Sequence, residues 1–90
     1  MTHTLDIYED YAHDIADGSR PFEIREKDRD FKRGEHIIFK VLPRNKYKDV
    51  SEHELNKKEY EITSVYEGWY VKTGSVLLGL KEIKKEGGSS

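Results

Sequence analysis

The chain has 90 residues, 34% hydrophobic and 38% charged, with a net charge of −2 and no cysteine. Those values allow one domain with a modest core, and they exclude disulfide staples, thiolate metal sites and a protein that coats nucleic acid through bulk positive charge. No apolar run approaches the roughly 18–20 residues of a membrane span, and no basic stretch leads into an apolar one at the N-terminus, so the expectation is a cytoplasmic chain with no signal peptide and no membrane partner.

Leu5 and Ile7 alternate with Thr4 and Asp6, the pattern of a short first strand. Tyr8, Tyr11, Ala12 and Ile15 then recur at helical spacing, which predicts a helix over about 8–17. Glu9 and Asp10 suit the positive end of that helix, and Gly18 suits its C-terminal cap. Pro21 holds Arg20 extended. Phe22 and Ile24 alternate with Glu23 and Arg25, so a half-buried strand is expected, with Phe22 and Ile24 on the core side. Phe31 is an isolated aromatic anchor after a polar turn. The strongest strand pattern is His36 to Leu42, with apolar residues on both faces, which predicts a central strand. The polar connection after Pro43 carries a Ser51–Glu54 spacing that resembles a capping box. Residues 57–66 alternate again, with Tyr60, Ile62 and Tyr66 on one side. Gly68-Trp69-Tyr70 reads as a loop, and Val76 to Ile83 as the last strand.

Five strands and one helix, joined by short polar turns, predict an α+β, mostly β domain: a small curled sheet or partly open β-barrel with an N-terminal helix packed against it. The domain is expected over residues 1–84, followed by a disordered polar tail at 85–90.

The charge distribution singles out one region. Residues 1–18 hold five acids and no Lys or Arg, whereas residues 20–33 hold six basic groups against four acids. Glu23 and Arg25 stand two apart on a strand and so share a face, with Arg20 at the strand entrance. Two guanidiniums can hold a phosphate or carboxylate through paired hydrogen bonds, and a carboxylate between them can accept from an amine or a ribose hydroxyl. The plainer reading is a set of surface ion pairs worth about 0–1 kcal/mol each.

The segment Gly18-Ser19-Arg20-Pro21-Phe22-Glu23-Ile24-Arg25 resembles the G-x-K-x-x-E-x-R signature of ASCH domains, members of the PUA-like superfamily. The run from Phe22 to Gly34 is similar to the F-E-I-R-x-x-D-R-x-F-x-x-G segment of the DUF3850 branch, and the resemblance extends over about residues 3–83. It implies a PUA-like barrel with a cleft beside the motif and an RNA or nucleotide ligand; many such relatives come from bacteria and their phages. Some ASCH proteins hydrolyse amides of modified nucleosides, with a Lys at the position of Arg20 and a Thr at that of Glu23. This sequence departs at both positions, so binding ranks above hydrolysis. The expected ligand-binding residues are Arg20, Glu23, Arg25, Arg29 and Trp69, with no catalytic residue and no cofactor.

Arg29, with Asp28 and Asp30, has the alternative of bracing the turn before Phe31. Trp69 and Tyr70 have the alternative of a hydrophobic lid or part of the core. The four histidines show no ligand spacing, so no metal is expected. The acidic stripe Asp6, Asp10, Asp14 and Asp17 reads as a solvated face that could also engage a basic protein partner. A monomer is expected.

Overall fold

Strict alternation over seven residues makes Thr2–Tyr8 strand β1: His3, Leu5 and Ile7 are buried, and the residues between them are exposed. The structure, a computed structural model, describes residues 1–84; the expected disordered tail at 85–90 lies outside the described residues. Helix α1 spans Glu9–Ala16 and buries Ala12, Ile15 and Ala16. Tyr8 and Tyr11, placed by spacing on the same stripe, instead stay about half exposed. Beyond α1, Gly18 takes φ +87°, and its N–H donates to the Ile15 carbonyl at 3.2 Å. That conformation is disfavoured for residues with a Cβ, so glycine lets the chain reverse here.

Four more strands follow: β2 (Phe22–Glu26), β3 (His36–Leu42), β4 (Glu59–Tyr66) and β5 (Ser75–Glu82). They form one sheet in the order β1-β3-β4-β5-β2. The β1–β3 pair is parallel and the rest are antiparallel. The central position expected for β3 holds, since β1 and β4 flank it. Its inner face, Ile37, Phe39 and Val41, is buried; Ile38 and Leu42 on the other face are only half covered. The sheet curls into a half-barrel with α1 across one opening.

Leu5, Ile37, Phe39, Ile62 and Leu78 are almost fully buried and lead the core. Each such side chain contributes roughly 1.5–3 kcal/mol through burial. Phe39 and Tyr60 meet edge to face at 5.8 Å. The Tyr60 hydroxyl donates to the Ile15 carbonyl at 3.2 Å and ties α1 to the sheet. Burial pushes that phenol up to about 12. Phe31 is buried as its isolation suggested, with the His3 ring 4.8 Å away. His3 Nε2 lies 2.7 Å from Glu35 Oε1, and this contact holds the Glu35 carboxyl below the usual carboxylate range.

Two expectations are corrected. The turn near residue 51 is a 3₁₀ helix, Glu54–Lys57, capped by His53, whose Nδ1 accepts from the Leu55 N–H at 3.1 Å. Ser51 plays no capping part; its N–H donates to Asp49. Tyr66 does not share a face with Tyr60 and Ile62. A bulge between Ile62 and Ser64 inserts Thr63, shifts the alternation by one, turns Val65 toward the core and leaves Tyr66 exposed.

Candidate functional site

The cap at Gly18 aims the chain so that the Arg20 N–H donates back to the Asp14 carbonyl at 3.0 Å. Pro21 then starts the pairing of β2 with β5, its carbonyl accepting from the Leu80 N–H at 2.9 Å. Along β2, Glu23 pairs across to Leu78 and Arg25 to Val76, both among the most buried residues of the core. Cross-strand partners share a face. Glu23 and Arg25 therefore point into the barrel, and Phe22 and Ile24 point outward. This reverses the expected assignment: Ile24 is 48% exposed, and Glu23 only 6%.

The buried carboxylate is clamped from both sides. Arg20 Nη2 lies 3.2 Å from Glu23 Oε1, and Arg25 Nη1 lies 3.4 Å from Oε2. The Ile24 N–H also donates to Oε1, at 3.2 Å. A buried charge is tolerated only when paired and hydrogen-bonded, and here two hydrogen bonds and the Arg20 ion pair meet it. Arg25 Nη1 in addition donates to the Asp6 carbonyl of β1 at 2.7 Å. Strands β1 and β2 are the two edges of the sheet, so this bond spans the open seam. The Arg20 guanidinium lies 4.9 Å from the Phe22 ring and 5.9 Å from the Tyr11 ring, near enough for cation–π attraction. Its Nη1 is buried and has no hydrogen-bond partner among the described residues.

A cleft of about 320 Å³ opens in the seam. The charged triplet forms one wall, and Ile7, Tyr8 and Tyr11 form the other. Its size is at the small end of ligand sites, roughly 300–1,000 Å³. Asp6 also lines the cleft, so its charged residues are two arginines and two acids.

Three of the five expected site residues, Arg20, Glu23 and Arg25, come together here. Arg29 does not join them: its Nε lies 3.4 Å from Asp28 and its guanidinium 5.9 Å from the Phe31 ring, so it braces the turn. Trp69 stands on the β4–β5 loop, 95% exposed, and lines a separate hollow with Lys72. Its ring meets Tyr70 edge to face at 5.7 Å. Neither ring joins the core, because the Val71 N–H closes a turn onto the Gly68 carbonyl that holds both outside. The sequence reading missed Tyr8, Tyr11 and the Asp6 carbonyl as parts of the cleft. Two tyrosines following a strand end were the available signal; the closure of β1 toward β2 left none.

Two of the four acids of the stripe, Asp10 and Asp17, are engaged within the chain, as is the neighbouring Glu9. Asp10 pairs with Arg44 at 2.9 Å, Glu9 with Lys48 at 2.7 Å, and Asp17 accepts from Ser19. His13, Asp14 and Asp17 are the one group of neighbouring ligand-type atoms among the described residues, all exposed at the end of α1.

Fold and site together define a small half-open β-barrel with a clamped carboxylate built into its seam. The chain belongs to the family described as Domain of unknown function (DUF3850), whose model matches residues 2–80 and so contains the whole triplet. No curated protein matches it. Among the described residues, no helix is long and apolar enough to cross a membrane.

Proposed function

We propose that the chain is a binding module for RNA or a nucleotide, with the phosphate held at Arg20 and Arg25 and the base or ribose placed between Glu23 and the tyrosines. The observation that carries this reading is the buried Glu23 clamped by two arginines on the wall of a cleft. Arg20 and Arg25 both line the cleft, where their guanidiniums can meet a phosphate or base oxygen. Guanidiniums suit that role because they offer paired donors in a fixed plane. Tyr8 and Tyr11 offer faces for a base, and stacking on an aromatic contributes about 1–3 kcal/mol. The likeness of residues 18–25 to the ASCH signature, and so to PUA-like domains, supports the same reading.

Amide hydrolysis is less well supported. Both Glu23 oxygens already accept hydrogen bonds, and a permanently charged arginine is no general base. Incubation with N4-acetylcytidine should give no product above background.

Titration of the protein with nucleoside monophosphates and short RNAs, followed by backbone NMR, tests the proposal. The expected result is shifts confined to residues 6–11 and 18–25, lost in Arg20→Ala. Unmoved resonances at millimolar ligand would sink it.

A further inference from the structure

Tyr8 belongs to two structures at once. It lines the cleft, and its ring carries the Arg44 guanidinium at 4.0 Å. Arg44 begins the connection that leaves β3, Arg44-Asn45-Lys46-Tyr47-Lys48, in which three cations alternate with polar and aromatic residues. The connection is shaped, not loose. Asn45 Oδ1 accepts from the Tyr47 N–H at 2.9 Å, and the Asn45 carbonyl accepts from the Lys48 N–H at 2.9 Å. Arg44 and Lys48 are pinned to Asp10 and Glu9 at the start of α1. This turn leaves Tyr47 86% exposed. Lys46 sits 5.4 Å from the Tyr47 ring, with no carboxylate partner among the described residues.

An aromatic ring held 86% in water by pinned neighbours is not a core residue. A free ammonium beside an open ring is what one nucleotide of a strand requires: a cation for the phosphate and a face for the base. From Arg44 to Tyr47 the backbone covers at most about 11 Å, and Arg44 itself rests on Tyr8 of the cleft wall. The geometry points to a second subsite for single-stranded RNA, in which Tyr47 stacks a base and Lys46 meets a phosphate of the strand as it leaves the cleft over Tyr8. The inference rests on the cleft reading above and narrows it: the ligand is a strand, not a free nucleotide. Trp69, more open still, stands in a hollow that shares no residue with the cleft.

The probes are a mixed-sequence six-nucleotide RNA and the four nucleoside 5′-monophosphates, measured by fluorescence and NMR titration. The RNA should bind more tightly than any monophosphate. Tyr47→Ala should weaken RNA binding about tenfold, while the monophosphate shifts at residues 18–25 persist. Lys46→Ala should lower the salt slope for RNA by about 0.7. Both side chains are exposed, so circular dichroism should show unaltered folding. If the RNA binds no tighter than the monophosphates, or Tyr47→Ala leaves its affinity unchanged, this inference falls and the cleft reading stands. A loss on Trp69→Ala with none on Tyr47→Ala overturns it as well. If neither probe binds, both readings fall together.

Discussion

Glu23 occupies a position that its neighbours would fill with a methyl-bearing side chain. Its cross-strand partner, Leu78, is fully buried. An unpaired carboxylate there would cost several kcal/mol, so the two arginines and the Ile24 N–H are conditions of the fold as well as features of the site. Tyr60 shows the same coupling in a neutral group. Its hydroxyl bonds the Ile15 carbonyl, a contact worth roughly 1 kcal/mol, and burial lifts the phenol to about 12. An unfolded tyrosine titrates near 10. Below about pH 10 both states keep the proton, and the full contribution is present. Between about pH 10 and 12 only the unfolded state releases it, so about 2 kcal/mol of stability is lost as pH rises through that window. Tyr60→Phe lacks both the bond and the titration. Urea unfolding should find the wild type more stable at pH 7, and Tyr60→Phe more stable near pH 12. Parallel stabilities across that range, or a Tyr60 phenol that titrates like a free tyrosine, would refute the account.

Elements with an uninterrupted period were legible in the sequence. β1 and β3 alternate without a break, and β3 has the bounds its pattern implies. β4 was legible only up to Ile62, because the extra residue at Thr63 changes which side chains face inward while the composition stays strand-like. Gly79 is the matching feature on β5. A Cβ there would lie 2.3 Å from Ser64 Oγ and 2.9 Å from Thr63 Oγ1, so the bulge and the missing side chain fit each other. Neither residue announces the other over a separation of fifteen positions. Gly79→Ala should therefore destabilise the protein by about 1–3 kcal/mol through overpacking. Adding Ser64→Ala should recover part of that loss, since it removes the nearest atom. A Gly79→Ala chain with wild-type stability in urea would show that the bulge moves freely.

At the scale of the whole molecule, the site exists because the sheet does not close. Sequence spacing put Glu23 and Arg25 on one face correctly, but whether that face looks inward depends on the register of β2 on β5, which sets Glu23 against Leu78 and Arg25 against Val76. That pairing joins segments more than fifty residues apart, so the sign of the face was not readable locally. Open edges also invite pairing with other chains, and here Arg25 covers the gap by bridging Glu23 and the Asp6 carbonyl. Both partners are met by one nitrogen, Nη1, and a lysine ammonium, one bond shorter in reach, meets them less closely. Arg25→Ala, and to a smaller degree Arg25→Lys, should loosen the seam before it loosens the core. The lost charge-assisted bond, about a quarter exposed, corresponds to roughly 1 kcal/mol, or about fivefold in an opening equilibrium. Amide hydrogen exchange should quicken by about that factor in β1 and β2, while Phe39, Ile62 and Leu78 keep wild-type protection. Uniform acceleration across all five strands would instead mean that Arg25 supports the fold as one unit. In that case the cleft is a rigid feature of the barrel, not an opening held by one side chain.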